Sequence, residues 1–276
     1  MERNYLSISS SFNYDICIEE QIRLIKEAGF KYFSLGSNLE HFDYIKKSER
    51  DKIFPLLKSN NIRIDTIHSM SLHQDQNLDF LKSTIKAAKE LNAETIVIHV
   101  SSFNFKKEEY AKNLSTLMEV HEPFVKLINR EKINIALENV FPYYETDLLL
   151  EFYSKIKSEY IGFCYDSSHD QIDGPRNYDL LDKMSDNLIA VHLSDRIKPF
   201  TDHVIPGEGF IDFEIIIEKL AKSNFRGPYL FEVMMTHSKF KDTQEFLKEL
   251  KTEGDLFLNK LEIQRQKVKI NKMKRP

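Results

Sequence analysis

The sequence predicts an α/β protein, a single (β/α)8 barrel. Short β-rich runs alternate eight times with helix-periodic segments between Tyr5 and Leu261, and such alternation implies a parallel sheet with helical crossovers. Eight units in roughly 250 residues match the size of a closed barrel. No linker rich in Pro, Gly or Ser and no internal repeat divides the chain, so residues 1–261 read as the barrel and 262–276 as a basic tail. An open doubly wound sheet would share the alternation. No Gly-x-Gly-x-x-Gly turn follows any run, however, and the dinucleotide-binding form of that fold uses one.

The first run is Tyr5–Ser9. Ile18, Ile22, Ile25 and Ala28 then share one face of a helix that Gly29 closes as a C-terminal cap. Tyr32–Leu35 is the second run. A helix over Ser48–Ser59 leads to the third, Ile62–Ile67, which ends at His68. Leu78–Leu91 is helical, and Thr95–Val100 is strand-like with His99 near its end. Lys107–Arg130 is a long helical stretch expected to kink or break at Pro123, where proline removes a backbone donor. Ile133–Leu137 leads into Glu138 and Asn139, Thr146–Lys157 is helical, and the apolar run Ile161–Tyr165 ends abruptly at Asp166. Tyr178–Met184 is helical, Leu188–Val191 runs into His192, and a long loop reaches Gly209. Asp212 caps a helix to Ser223, Pro228–Phe231 ends at Glu232, and Phe240–Leu261 is the closing helix.

Composition narrows the class. At 41% hydrophobic and 30% charged residues the chain is an ordinary globular one. No apolar run approaches the ~18–20 residues that cross a bilayer. Met1–Asn4 leads into Tyr5–Ile8 without a signal-like apolar core, so a cytoplasmic location is expected. Cys17 and Cys164 are too few for a disulfide framework or a cysteine-rich zinc site, and both read as small buried hydrophobes. A net charge of −4 argues against nucleic acid as a partner. The basic stretch Gln264–Pro276 reads first as a solvated helix end.

The chemistry sits at the ends of the runs. A charge at the edge of a buried strand is costly unless something pairs with it. His68, His99, Glu138, Asp166, His192 and Glu232 fall at or near the ends of the third to eighth runs. Barrel closure would bring those ends into one mouth. Any one of them alone reads as a hydrogen-bonded structural residue or a cap; six in order point to a shared ligand. Three carboxylates with an imidazole suit one divalent ion, Mn²⁺, Zn²⁺, Co²⁺ or Mg²⁺.

At these residues the chain resembles the xylose isomerase-like TIM-barrel superfamily. Ala-Leu-Glu138-Asn, Asp166-Ser-Ser-His169, Val-His192-Leu-Ser-Asp195, Asp202-His203-Val-Ile-Pro-Gly207-Glu-Gly209 and Phe-Glu232-Val carry the likeness. That superfamily holds sugar and sugar-phosphate isomerases and epimerases, and zinc-dependent apurinic endonucleases. The resemblance implies a metal held by Glu138, Asp166, His192 and Glu232. It also implies that Glu138 and Glu232 move the substrate proton through a metal-stabilised enediolate, while His169 meets a substrate oxygen. A small polyol or sugar is then the substrate, and a homo-oligomer is compatible with it. The alternative that the resemblance implies is an apurinic-site endonuclease-like phosphodiesterase, in which His68 and His99, bridged by Glu138, match ligands of one further ion and His169 and His203 those of another; a two-metal site on His68, His99 and Glu138 is compatible with the same resemblance. That branch carries an acid two residues before the histidine matched by His203; Thr201 stands there, with Asp202 one place late. A non-catalytic barrel that binds a sugar-like ligand, or a metal-free relic, is the third reading.

Around the mouth, Asp195 and Arg196 are expected to form an ion pair, with Arg196 a candidate for an anionic substrate group. His203 is expected to face the site. His41, His73 and His237 lie in loops that could border it, His121 is expected to be structural or exposed, and Phe12, Phe103 and Phe141 are candidates to line a sugar pocket.

Overall fold

β1 (Leu6–Ser9), β2 (Tyr32–Leu35), β3 (Arg63–His68), β4 (Thr95–His99), β5 (Asn134–Glu138), β6 (Ile161–Asp166), β7 (Leu188–Leu193) and β8 (Tyr229–Phe231) pair in chain order, and β8 returns to β1. All the pairings are parallel, which closes the barrel. The computed structural model describes residues 5–69, 78–99, 107–140, 143–198 and 201–273. His73, Val100, Phe103 and Phe141 lie outside them.

Around the barrel stand α1 (Ile18–Glu27), α2 (Lys47–Asn60), α3 (Leu78–Leu91), α4 (Tyr110–Glu131), α5 (Tyr143–Lys155), the short α6 (Ser167–Asp170), α7 (Asp179–Met184), α8 (Phe213–Lys222) and α9 (Thr243–Met273). Each longer helix turns an apolar stripe inward. In α1, for example, Ile18, Ile22 and Ile25 are buried while Arg23 and Lys26 are exposed. α6 was not marked by periodicity, because one turn is too short to show any.

Register does much of the positioning. His99 pairs with Glu138 across β4 and β5, and Asp166 pairs with His192 across β6 and β7. Paired positions on adjacent strands lie about 4.8 Å apart, so hydrogen bonding alone sets these residues side by side. Two residues earlier on each strand, Val97, Ala136, Cys164 and Ala190 form a separate buried cluster. The period-two pleat puts that cluster on the same face, directly beneath the mouth. A register shift between β6 and β7 adds Ile189 to this floor. Gly162 makes the room, since a Cβ there would meet Asn187 O at 2.6 Å and Ile189 Cγ1 at 2.9 Å.

Three expectations need correction. Pro123 does not break α4: the helix runs from Tyr110 to Glu131. Leu117, Phe124, Leu127 and Ile128 are buried along it, and that packing outweighs one lost backbone bond. Cys17 is exposed at the N-cap of α1, whereas Cys164 is buried as expected. α9 continues past Leu261 to Met273, because Arg265 is buried and its guanidinium donates to Phe225 O and to Tyr229 Oη, both at 2.6 Å. His121 is buried in α4, its Nδ1 3.0 Å from Leu117 O.

Gly162→Ala tests the floor. The clash is with the backbone carbonyl of Asn187, just before β7, so overpacking of about 1–3 kcal/mol should exceed the ~0.4–1 kcal/mol gained by stiffening the unfolded chain. We expect Tm by circular dichroism to fall by roughly 2–8 °C; an unchanged Tm would mean that β7 moves aside freely.

Candidate metal centre

One buried nitrogen sits among three carboxylates. His192 Nδ1 lies 2.7 Å from Glu232 Oε2, 3.3 Å from Glu138 Oε1 and 4.0 Å from Asp166 Oδ2. One ligand atom from each of Glu138, Asp166, His192 and Glu232 falls within 4.8 Å of all the others. Among the described residues, Glu138 Oε1, Asp166 Oδ2 and both His192 nitrogens are buried without a well-aligned hydrogen bond, the 2.7 Å approach of His192 Nδ1 to Glu232 included. Buried charges normally have partners, so this set fits a small cation of high charge, and its oxygen-rich composition fits a divalent one.

The second carboxylate oxygen of Glu138 is also engaged. Oε2 accepts from His68 Nε2 at 2.9 Å and from His99 Nε2 at 3.1 Å. His68 Nδ1 lies 3.0 Å from Ser69 O, so this ring faces an acceptor on each side and needs both protons. Burial pulls its pKa down, yet the contact with Glu138 carries it above the ordinary value. At His99 burial wins and the pKa falls.

α6 explains the Asp-x-x-His spacing. Asp166 is its N-cap, with Oδ1 accepting His169 N–H at 2.7 Å. The first turn then brings the His169 ring back to the mouth, its Nδ1 3.1 Å from Asn139 O and 3.3 Å from Glu138 Oε1. Burial lowers the His169 pKa, but Asp166 and Glu138 push it up to about 9. Asn139 splices β5 to β6 by donating to Asp166 O at 2.9 Å and accepting Asp166 N–H at 2.8 Å. Glu138 and Glu232 are both held below the ordinary carboxylate range: burial would raise them, and His192 more than offsets it.

The loop after β7 is folded around Asp195. Its Oδ2 accepts the N–H groups of Gly207 and Gly209, both at 2.9 Å, and Oδ1 accepts those of Ile211 at 3.0 Å and Arg196 at 2.7 Å. Gly209 is required there, since a Cβ would lie 2.3 Å from Asp195 Oδ1 and from Arg196 O. The expected Asp195–Arg196 ion pair is therefore not formed. Arg196 pairs with Asp202 at 2.8 Å, donates through Nε to Ser168 O at 2.9 Å, and is only 1% exposed. It braces the loop from beneath rather than presenting itself to a substrate.

The same loop delivers His203 in the left-handed region, φ +55°, with its carbonyl accepting Met234 N–H at 2.6 Å. Its Nδ1 lies 3.3 Å from Asp202 Oδ1 and its Nε2 4.0 Å from Glu232 Oε2, so the ring faces the mouth. Burial opposes ionisation of Asp202, but His203 and Arg196 hold its carboxyl below the usual range. Asp166, His169 and His203 form a further group close enough to share an ion, as do His68, Glu138 and His192. Sequence reasoning missed Tyr14: burial and the nearby charge of Glu232 push its hydroxyl up to about 12, keeping it a donor. Nothing separates it from the other tyrosines by sequence. His41 and His237 are tied to backbone, at Ile16 O (2.8 Å) and Asp202 O (2.7 Å).

Fold and site together define a parallel barrel whose strand ends carry a carboxylate–imidazole centre. The chain belongs to the xylose isomerase-like TIM barrel family, whose model matches residues 22–250. It is 26% identical over 238 residues to the uncharacterized protein y4fM of Sinorhizobium fredii, a match covering 82% of this chain and 74% of that one. Its fold is similar to that of 3-keto-D-glucoside 4-epimerase YcjR from E. coli (TM-score 0.69, 15% identity, 92% of this chain and 100% of that one). It is also similar to an IolI protein with a zinc atom bound (TM-score 0.66, 16% identity, 93% and 97%).

Metal binding should be proton-linked. Burial lowers the pKa of His192, the imidazole of the four-residue set, but the carboxylates around it carry it well above the ordinary value, so a cation taking one of its nitrogens would displace a proton. Zn²⁺ or Mn²⁺ affinity should therefore strengthen as pH rises from about 6 to 8. Calorimetry in two buffers of different ionisation enthalpy should show proton release; a pH-independent affinity would contradict this. Asp195→Ala, which strands several N–H groups, should lower unfolding free energy by roughly 3 kcal/mol or more in urea titrations.

Proposed function

We propose that this protein is a divalent-metal-dependent isomerase or epimerase of a small polyol, sugar or sugar phosphate. The observation that carries the reading is the pair Glu138 and Glu232, two ionised carboxylates from different strand ends converging on one buried imidazole. A cation held by Glu138, Asp166, His192 and Glu232 would supply Lewis-acid polarisation of a substrate carbonyl and its neighbouring hydroxyl.

The chain's own residues account for the rest. A proton on the carbon beside a carbonyl can be taken by one glutamate and returned by the other; return to the opposite face inverts the centre. His169 and His203, with raised pKa values, offer N–H donors to substrate oxygens, and Tyr14 offers an O–H from the side of Glu232. The closed floor below Glu138 and His192 excludes water from that side. The epimerase and the zinc-bound IolI protein of similar fold support the reading. Net charge, −4, supports a small-molecule substrate over nucleic acid, and among the described residues no helix is long and apolar enough to cross a membrane.

A second reading, an apurinic-site endonuclease-like phosphodiesterase, draws support from the additional grouping of Asp166, His169 and His203. Against it, Thr201 replaces the acid of that branch, and Asp202 is committed to Arg196 and His203.

Solvent-deuterium exchange into candidate ketoses, followed by NMR, tests the proposal. Wild-type protein loaded with Mn²⁺ or Zn²⁺ should exchange one carbon-bound hydrogen, and Glu138→Gln or Glu232→Gln should slow this by about 10²–10⁴-fold. Three metal equivalents per chain with nicking of abasic duplex, and no exchange with any sugar, would favour the phosphodiesterase instead.

A further inference from the structure

The stretch Asp202-His203-Val-Ile-Pro-Gly207-Glu208-Gly209 holds one charge that neither the metal centre nor the core of its own loop uses. His203 faces the mouth, and the N–H groups of Gly207 and Gly209 go to Asp195. Glu208 serves neither. Its carboxylate is only 10% exposed and turns toward the neighbouring loop. There the buried Ser238 shares its hydroxyl proton between Oε2 at 2.9 Å and Oε1 at 3.1 Å. Hydrogen bonds to an ionised acceptor are among the stronger ones. Two further ties join the same loops. Met234 N–H donates to His203 O at 2.6 Å, and His237 Nδ1 donates to Asp202 O at 2.7 Å. Segment 202–208, after β7, is thus bound at three points to segment 234–238, after β8.

Those ties act where the backbone is least willing. His203 stands at φ +55°, a conformation that a residue other than glycine keeps only when its surroundings hold it. Glu232 needs no such help, because its N–H donates to Leu193 O at 3.2 Å and β7 anchors it. We propose that Glu208 and Ser238 are positioning residues. They form a latch that holds the His203 ring against the strand-anchored Glu232, where Nε2 and Oε2 lie 4.0 Å apart. The functional side of this inference rests on the reading above, in which His203 donates to a substrate oxygen. The latch acts on the loop and through it on the orientation of that donor, while the metal-holding carboxylates keep their strand positions. A competing role for Glu208 is local: Oε2 also accepts Ile205 N–H at 3.3 Å and so closes its own turn. Ser238 separates the two roles, because its hydroxyl comes from the other loop. Lys239, exposed and 3.8 Å from Oε1, adds little across solvent.

Hydrogen–deuterium exchange of the full chain, read by mass spectrometry, tests the latch whether or not any sugar is turned over. Ser238→Ala and Glu208→Ala should each raise exchange in segments 201–211 and 233–241 together. The rise should be at least about fivefold, as loss of one hydrogen bond to a charged group implies. Glu208→Gln keeps an acceptor for Ser238 and should recover most of the protection. Zn²⁺ affinity of Ser238→Ala should stay within about twofold of wild type, since the four ligand residues do not depend on the latch. With a ketose that exchanges its hydrogen, Ser238→Ala should raise KM at least about fivefold and leave kcat within about twofold. Exchange raised in segment 201–211 alone would overturn the proposal. So would a silent Ser238→Ala beside a loosened Glu208→Ala, or a fall in kcat at unchanged KM. No turnover with any sugar would count against the isomerase reading, and the exchange rates would still decide the latch.

Discussion

Repulsion among buried carboxylates is the constraint on which the mouth of this barrel depends. Glu138, Asp166 and Glu232 approach the single nitrogen His192 Nδ1, in surroundings where water cannot screen them. Coulomb energies there are several times those in water, so the arrangement persists only with a compensating cation. Protons on His192, His169 and His68 supply that charge in the metal-free chain, which is why those imidazoles are raised against the pull of burial. The pKa pattern and the ligand geometry are thus two descriptions of the same crowding. A metal would replace several protons at once, and this links occupancy of the centre to pH.

The scaffold tolerates such crowding because the donors come from strands whose register is fixed far from the mouth. Helix packing and the small-residue floor hold the barrel, and the carboxylates inherit their positions from it. His203 differs. It arrives on a loop with no strand to hold it, so the loop has a core of its own, polar and local. Asp195 gathers four backbone N–H groups, and Arg196 ties Asp202 to the α6 backbone at Ser168. The cost of burying Arg196 is offset because its hydrogen-bonding capacity is used.

What could be read from the sequence follows from this division. Strand ends were legible because an apolar run interrupted by a single charge, as at Asp166 or Glu138, has few innocent explanations in a buried sheet. Loop chemistry was not. Asp195 and Arg196 are adjacent and of opposite sign, yet the carboxylate gathers backbone N–H groups from as far on as Ile211, while the guanidinium reaches Asp202 and, across the chain, Ser168 O. Cys17 looked apolar from its neighbours Ile16 and Ile18, but an N-cap lies at the boundary where the chain turns outward.

The far end of α9 departs from the composition of its sequence for a related reason. A run of lysines after Leu261 reads as solvated by composition, and composition averages over all faces of a helix. Arg265 lies on the buried face and reaches Phe225 O and Tyr229 Oη, at the base of β8. That contact holds α9 helical for long enough to carry Ile263 and Ile270 outward on the opposite side. Burial on one face of the helix is therefore what creates the exposed stripe on the other. A chain that ended at Leu261 would keep its mouth and lose that stripe.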